Sequence, residues 1–422
     1  AYKNNARQSN ALARPLSLYI HIPFCHALCY YCGCNKIVTR NQARVERYLD
    51  CLNREIELQA ELFDKQRDIE QLHFGGGTPT YLDPEQLAAL MQKLDDEFGL
   101  DRTDRHEFSI EVDPRTVDAG RIRELAGLGF NRLSLGIQDF DLGVQKAVNR
   151  IQTVSDVQTI VDTARDSGFR SISFDLIYGL PRQTAESFEN TLELVNGMRP
   201  DRLAVYNYAH LPARFKGQRM IDADEIPSPD EKLEILHSSI DRLCDAGYEY
   251  IGMDHFALPE DDLVVARNNG TLQRNFQGYS THRHTDLVGL GVSSIGSIGR
   301  VFTQNALTTM QYEAMLEKDQ LPVAKGLVVD DDDHIRGEVI QELMCYDGVS
   351  FEGFDETFGI RFGDYFAAEL ERLEPMIDDG LVERDERSIS ITPRGRLLIR
   401  SVAMAFDRYL NQTALENYSK AI

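Results

Sequence analysis

The sequence predicts an α/β protein, a partial (β/α)6 barrel followed by a mainly helical, winged-helix-like C-terminal domain. Short β-rich runs alternate with longer segments of helical spacing through the first half of the chain, as is typical of parallel strands joined by right-handed crossovers. The composition changes near Asp330, after which acidic residues outnumber basic ones. The chain has 422 residues, more than the roughly 250 of one barrel, so we expect a second domain.

Six β-strands are predicted where β-branched and aromatic residues cluster. They span residues 17–22, 71–74, 107–112, 132–137, 171–177 and 202–206. Loop-forming residues follow each strand, including Pro23 after the first and Gly75 to Gly77 after the second. In a β/α barrel these positions form the C-terminal face, where active sites are built.

Helical spacing predicts helices between the strands and beyond the barrel. The clearest lie at 45–62, 84–98 and 185–198, then at 335–345, 362–376 and 395–409, with a hairpin through 381–386 and 388–392. Asp83 and Ser187 stand at expected N-cap positions. We therefore expect three parts: an N-terminal segment 1–15, the barrel with its catalytic site and extension over 16–325, and an accessory domain over 326–422.

Charge and hydropathy exclude several classes of function. The 68 acidic and 45 basic side chains give a formal charge of −23, and such a surface repels nucleic acid and anionic lipid. We therefore expect no nucleic-acid partner, although a winged-helix shape can bind DNA. No run of about 18 apolar residues is present, so no membrane-spanning helix is expected. No secretory signal is visible, and a cytoplasmic location follows as the expectation.

Three cysteines on one loop indicate an iron–sulfur cluster. Cys25, Cys29 and Cys32 follow the first strand with Cys-x3-Cys-x2-Cys spacing, and three thiolates can bind three irons of a cubane cluster while the fourth iron stays open. A structural zinc site is the alternative, for which Cys34 or His26 could supply the fourth ligand. In a chain without a signal peptide, such a cluster of cysteines indicates a metal or redox site rather than disulfides.

A series of short motifs runs through nearly the whole chain. They include LYIHIPF (18–24), CGCNK (32–36), HFGGGTPT (73–80), SIEVDPR (109–115), NRLS (131–134), GIQDF (136–140), DLIYGLP (175–181), NYAHLP (207–212), GMDHF (252–256) and GRLLIR (395–400). The cysteine loop resembles that of radical S-adenosylmethionine (SAM) enzymes, and the wider set of motifs resembles the oxygen-independent coproporphyrinogen III oxidase family. The resemblance implies a radical SAM partial barrel with a 4Fe–4S cluster and SAM chelated at its open iron.

The resemblance also implies which residues contact the cofactors. The cluster ligands would be Cys25, Cys29 and Cys32, and the residues around the cluster-bound SAM would be Tyr19, Gly76, Glu111 and Ile295. The family is described as holding a second SAM, for which the matching positions are Tyr31, Gly77, Thr78, Gln138, Arg150, Asp175 and Ala209. Tyr19, Glu111 and Arg150 are the expected catalytic residues. Arg150 suits a SAM or a substrate carboxylate, since guanidinium binds carboxylates bidentately. The plainer alternatives are a surface carboxylate for Glu111 and a surface ion pair for Arg150.

The implied activity is oxygen-independent oxidative decarboxylation in haem biosynthesis. A 5′-deoxyadenosyl radical would convert two propionates of coproporphyrinogen III to vinyl groups, giving protoporphyrinogen IX. A flavodoxin-type electron donor and a monomeric state are expected. The alternatives are a haem-carrier protein and a haem-degrading radical SAM methyltransferase, and Cys34 together with the long C-terminal region favours the oxidase.

Two further expectations concern the substrate. Its four propionates need cations, and the candidate contacts are the basic residues Arg214, Lys216 and Arg219 with the polar residues His210, Asp254 and His255. The basic residues have a plain alternative as a solvated stretch. Fewer residues precede the first strand than is usual in the family, so we expect segment 1–15 to be truncated and SAM cleavage to couple poorly to decarboxylation.

Overall fold

The computed structural model describes residues 2–101 and 105–410. These residues form two compact units, and each unit is discontinuous in sequence. The first unit takes its described residues from 2–246 and 284–328, and the second takes them from 247–283 and 329–410. In the part of the chain that the structure describes, no helix is long and apolar enough to cross a membrane.

Ten strands form the sheet of the first unit. They are β1 (Leu16–Ile22), β2 (Ile69–Gly76), β3 (Glu107–Val112), β4 (Arg132–Gln138), β5 (Ser171–Tyr178), β6 (Arg202–Asn207), β7 (Asp286–Leu290), β8 (Ile295–Ile298), β9 (Val301–Asn305) and β10 (Val323–Val328). Strands β1 to β6 are parallel neighbours in chain order, and β7 adds a further parallel strand beside β1. The six predicted parallel strands and the α/β fold class are confirmed. Strands β8 to β10 extend the sheet in antiparallel fashion.

Helices alternate with the strands of the first unit. They span Tyr2–Ala11, Gln42–Ala60, Pro84–Phe98, Ala119–Gly127, Leu142–Ala147, Val154–Asp166, Ala185–Met198, Pro229–Asp245 and Thr309–Leu316, with 3-10 turns at Pro79–Tyr81, Pro114–Thr116, Lys216–Met220 and Ala223–Glu225. Asp83 caps its helix with a full capping box, as predicted. The prediction for Ser187 was wrong, because Thr184 is the N-cap and Ser187 is its N3 partner in the box.

The core of the first unit lies between the strands and these helices. Every residue of β1 is buried, and the neighbouring strands contribute fully buried aromatic side chains such as Phe74, Phe108 and Phe174. Burying each of them stabilises the fold by roughly 1.5–3 kcal/mol. The helix Tyr2–Ala11 belongs to the same unit, because its Ser9 hydroxyl hydrogen bonds the buried carboxylate of Asp286 at the start of β7.

The second unit combines short strands with helices. Its strands are Glu249–Gly252, His255–Ala257, Gln273–Asn275, Gly278–Ser280, Gly348–Ser350, Val382–Arg384 and Ser388–Ile391. Its helices are Asp262–Asn268, Asp331–Tyr346, Phe351–Phe358, Phe362–Tyr365, Ala367–Asp378, Pro393–Leu397 and Ile399–Met404. The last three strands pair antiparallel, with Ser388–Ile391 in the middle. A small antiparallel sheet together with helices agrees with the winged-helix-like domain that the sequence predicts.

Three predicted boundaries differ from the structure here. The single helix expected over 362–376 is two helices, Phe362–Tyr365 and Ala367–Asp378, because the backbone leaves the helical region at Phe366. The single helix expected over 395–409 is two short helices that meet at Leu398, whose backbone leaves the helical region. The span 16–325 expected for the barrel contains residues 247–283, which fold instead with the second unit. The reason is a shared core, in which Leu263, Leu272 and Tyr279 of that segment pack in one cluster with Cys345 of the helix Asp331–Tyr346.

Candidate active site

A cavity of about 470 Å³ opens where β2, β3 and β4 end. Its walls contain eleven of the residues that the sequence singled out, namely Cys25, Cys29, Tyr31, Cys32, Gly76, Gly77, Thr78, Glu111, Gln138, Arg150 and Asp175. These residues come from six different segments of the sequence. Parallel strands bring them together, because the carboxyl ends of such strands meet at one edge of the sheet.

The cysteine loop is closed at its base by a short parallel bridge between Phe24–Cys25 and Ile37–Val38. The amide of Ile37 donates to the carbonyl of Pro23 at 2.6 Å, which fixes where the loop begins and ends. Burial raises the pKa of the Cys25 thiol to about 11. A hydrogen bond from the Thr78 hydroxyl at 3.6 Å acts in the opposite direction and lowers this pKa. The pKa of Cys32 falls to about 6, because Cys34 donates a hydrogen bond to its sulfur and the Lys36 ammonium lies close by.

Two guanidinium groups approach the sulfur of Cys29. Arg115 Nη2 lies 3.2 Å from Cys29 Sγ, and Arg150 Nη1 lies 3.4 Å from the same atom. The carboxylate of Asp113 bridges the two arginines, at 2.6 Å from Arg115 Nη2 and 3.1 Å from Arg150 Nη1. Arg150 also donates to the carbonyl of Gly136 at 2.5 Å. This arrangement places two positively charged groups beside the sulfur of Cys29.

The glycine loop, residues 75–77, passes very close to the start of the cysteine loop. A Cβ at Gly77 would lie 2.7 Å from the main-chain carbon and oxygen of Pro23, so only glycine fits there. Gly76 has a φ of +115°, a conformation that side chains rarely adopt. Its amide donates to Glu111 Oε2 at 3.2 Å, and His73 Nε2 lies 3.1 Å from Glu111 Oε1. The loop therefore holds the Glu111 carboxylate at the cavity wall.

Asp175 and Gln138 also line the cavity. Burial raises the pKa of Asp175 to about 7, and the neighbouring charge of Glu111 adds to this effect. The hydroxyl of Ser134 donates to Asp175 Oδ2 at 3.2 Å. Gln138 has a φ of +68°, and its buried side-chain oxygen has no hydrogen-bond partner in the described part of the chain. A buried acceptor without a donor, at a strained residue in a cavity wall, is suited to a bound ligand.

Three of the predicted contact residues do not line this cavity. Tyr19 is buried in β1, where its ring stacks on His73 with centroids 5.8 Å apart. Ala209 lies after β6, and its carbonyl accepts a hydrogen bond from Gln218 Nε2 at 3.1 Å. Ile295 begins β8, where its main chain packs so closely on β7 that a Cβ at Gly289 would lie 2.4 Å from its carbonyl oxygen.

The basic residues expected to contact the substrate propionates also lie outside the cavity lining. Arg214 stacks on the adjacent Phe215 ring at 5.3 Å, and Arg219 Nε donates to the carbonyl of Pro212 at 3.0 Å. Lys216 begins a 3-10 turn and is exposed. His210 hydrogen bonds the hydroxyl of Tyr208 at 2.8 Å. Asp254 and His255 belong to the second unit.

The sequence analysis missed several residues of the cavity wall. Lys36, Asp113, Arg115 and Ser134 all lie there. Their signal was present, because Asp113 and Arg115 directly follow the end of β3 and Lys36 follows the cysteine loop. Charged residues at the carboxyl end of a barrel strand are typical of function.

Comparisons with known proteins agree with this geometry. The family model described as the Radical SAM superfamily matches residues 19–195, and the model described as the HemN C-terminal domain matches residues 329–398. The oxygen-independent coproporphyrinogen III oxidase of Pseudomonas aeruginosa is 51% identical over 416 residues, covering 99% of this chain and 90% of its own length. The chain belongs to this oxidase family.

Other members of the oxidase family give the same result. The oxygen-independent coproporphyrinogen III oxidase of Escherichia coli strain K12 is 48% identical over 410 residues, covering 97% of this chain and 89% of its own. A solved structure of coproporphyrinogen III oxidase (HemN) from Escherichia coli, described as a radical SAM enzyme, is similar with a TM-score of 0.93 and 47% identity. That similarity covers 97% of this chain and 93% of the other. As a member of the oxidase family, the chain is a radical SAM enzyme that uses a 4Fe–4S cluster and SAM.

The residues of the cavity fit these cofactors. Three thiols from one loop face a single cavity that also has a glycine wall and the open acceptor of Gln138. Three thiolates from one loop can bind three irons of a cluster.

Proposed function

We propose that this chain catalyses the oxygen-independent oxidative decarboxylation of coproporphyrinogen III. Two propionate side chains become vinyl groups, and the product is protoporphyrinogen IX for haem biosynthesis. The observation that carries this proposal is the cavity at the strand ends, where the three thiols of the cysteine loop meet the glycine loop and the buried Arg150. The agreement over nearly the full length with the oxidase family supports the same substrate.

The cluster and SAM, when bound, supply a carbon radical that removes a hydrogen atom from the β-carbon of a propionate. The chain would bind the cluster through Cys25, Cys29 and Cys32. Arg115 and Arg150 then offset the negative charge of the thiolates from one side. Gly76 and Glu111, whose amide and carboxylate hydrogen bond each other at the cavity wall, would contact the SAM that binds at the cluster.

A second SAM would lie beside the first, against the opposite wall of the cavity. Tyr31, Gln138, Arg150 and Asp175 supply an aromatic face, an open acceptor, a guanidinium and a carboxyl group. Because the pKa of Asp175 is raised by burial to about 7, this carboxyl group is able to donate as well as accept a hydrogen bond near neutral pH. We assign Tyr19, Ala209 and Ile295 to supporting positions, since they lie outside the cavity lining.

The substrate radical then loses carbon dioxide and passes one electron to an acceptor, which leaves the vinyl group. The chain's part in this step is to orient the propionate and exclude water, since the cofactor carries the bond chemistry. We further propose a flavodoxin-type electron donor, a monomeric state and a cytoplasmic location.

The test is anaerobic reconstitution with iron and sulfide, followed by a product assay with coproporphyrinogen III and, separately, with haem. We expect tricarboxylic and dicarboxylic porphyrinogens by mass spectrometry and no change in haem. Replacing any one of Cys25, Cys29 and Cys32 by Ala should abolish the brown absorbance of the cluster. Cys34→Ala is the matched control and should keep it. Cluster loss in Cys34→Ala, with retention in one of the other three, would contradict the ligand assignment.

A further inference from the structure

A lysine near the end of β5 has an unusual environment. The aliphatic stem of Lys232, from the helix Pro229–Asp245, lies across Gly179, where a Cβ would meet Lys232 Cε at 2.7 Å. Gly179 also has a φ of +82°, a backbone conformation that favours glycine. The Lys232 side chain thus lies beside the carboxyl ends of β5 and β6.

The position of Lys232 is unfavourable for a charge in three ways. The side chain is half-buried, and burial lowers the pKa of its ammonium. It sits in the first turns of its helix, near the positive end of the helix dipole. Among the residues that the structure describes, no carboxylate pairs with it, and its recorded hydrogen bond is to the carbonyl of Tyr208 at 3.2 Å.

Lys93 is a partly buried lysine of this chain that does have carboxylate partners. Its ammonium is similarly half-buried, but it lies 2.7 Å from a carboxylate oxygen of Glu57 and 3.0 Å from one of Glu97. A partly buried ammonium without a carboxylate partner is suited to bind an anionic ligand from outside.

The surroundings of Lys232 connect it to the cavity. Tyr208, whose carbonyl it contacts, packs in the same apolar cluster as Tyr31, which lines the cavity. His210 lies on the other side of Tyr208, with its Nδ1 2.8 Å from the Tyr208 hydroxyl. An ammonium and an imidazole thus flank one tyrosine at the end of β6.

We propose that Lys232 is a substrate-binding residue that pairs with a propionate carboxylate of the porphyrinogen. The proposal rests on the proposed function for the class of substrate and adds the residue that anchors it. The carboxylate would replace the water around the ammonium, and His210 would donate a second hydrogen bond to it. Lys232 and His210 both lie at the carboxyl edge of the parallel sheet, where a β/α barrel binds its substrate.

The test is equilibrium binding of coproporphyrin III, the stable fluorescent porphyrin with four propionates, to the full chain with its cluster. Lys232→Met keeps the stem over Gly179 and removes the charge. We expect its Kd to rise about tenfold, as for loss of one charge-assisted hydrogen bond. Lys93→Met is the matched control and should bind as the original chain does. Lys232→Arg restores a cation and should recover most of the affinity.

The outcomes separate this proposal from the proposed function. Unchanged Kd in a folded Lys232→Met variant overturns the proposal and leaves Lys232 as a support for the Tyr208 carbonyl. A chain that binds no coproporphyrin III also overturns it. If the original chain binds coproporphyrin III through Lys232 but forms no vinyl product from the porphyrinogen, the proposed function fails while the binding role stands. The Lys232→Met substitution should raise the Kd for mesoporphyrin IX, which has two propionates, less than it raises the Kd for coproporphyrin III.

Discussion

Substituting Gly77 by Ala should displace the start of the cysteine loop. The new Cβ would lie 2.7 Å from the carbonyl carbon and oxygen of Pro23 and 2.8 Å from the carbonyl oxygen of Phe24, whereas ordinary contact begins at 3.4 Å. All three neighbours are main-chain atoms, so the strand before Cys25 must move by several tenths of an ångström. That movement also stretches the hydrogen bond from the Gly77 amide to the carbonyl of Ile22, now 2.8 Å long.

Overpacking of this kind costs about 1–3 kcal/mol in free energy of unfolding. For a unit of this size, such a loss corresponds to a fall of roughly 2–6 °C in melting temperature. We also expect less iron per chain after reconstitution, because the displaced strand carries Cys25. The assay is thermal unfolding followed by circular dichroism, together with iron content and cluster absorbance at matched protein concentration.

Gly127→Ala provides the matched control. Gly127 ends the helix Ala119–Gly127, and a Cβ there would meet no atom within 4 Å. Replacing a helical glycine by alanine in open space stabilises by roughly 0.5–1 kcal/mol, so the melting temperature should hold or rise slightly. A Gly77→Ala variant with the original melting temperature and iron content would refute the close approach of the two loops.

Two further predictions concern charge. Arg115→Gln removes one of the two guanidinium donors to Cys29 Sγ, so the cluster should become harder to reduce, with a lower midpoint potential in a redox titration followed by electron paramagnetic resonance. Arg361→Gln, from an exposed ion pair with Asp364, is the control, and equal potentials in all three proteins would contradict the role of Arg115. Burial raises the pKa of Glu55 to about 7, while the unfolded chain releases this proton near pH 4.3. Stability should therefore fall as pH rises from about 4.5 to 7. Glu55→Gln should remove that slope from melting temperatures measured between pH 5 and 8, and an unchanged slope would mean that Glu55 is not its source.

The parallel strands were predictable because each contains the apolar, β-branched or aromatic residues that favour strands. Strand β3 was predicted to the residue, and β5 within one residue. Strands β7 and β8 gave a weak signal, since glycine lowers the propensity for strands. The structure shows why Gly289 is there, as a side chain at this position would collide with the main chain of Ile295.

The cysteine loop was predictable because its spacing is local, whereas the charges around it were not. Arg115 and Cys29 are 86 residues apart, and no spacing rule connects them. The N-cap error has a similar cause. Thr184 and Ser187 are both good capping residues, and only the backbone shows that Thr184 accepts from the amide of Ser187 while its own amide donates back to the Ser187 hydroxyl.

The shared core of residues 247–283 and the helix Asp331–Tyr346 bears on how the chain folds as it is made. Domains generally fold as units, the N-terminal one first during synthesis. The first unit has all its strands once β10 has left the ribosome. Leu263, Leu272 and Tyr279, however, emerge earlier and have no complete apolar partner until the helix that carries Cys345 follows. This segment is therefore exposed to premature association until its partner helix has been made.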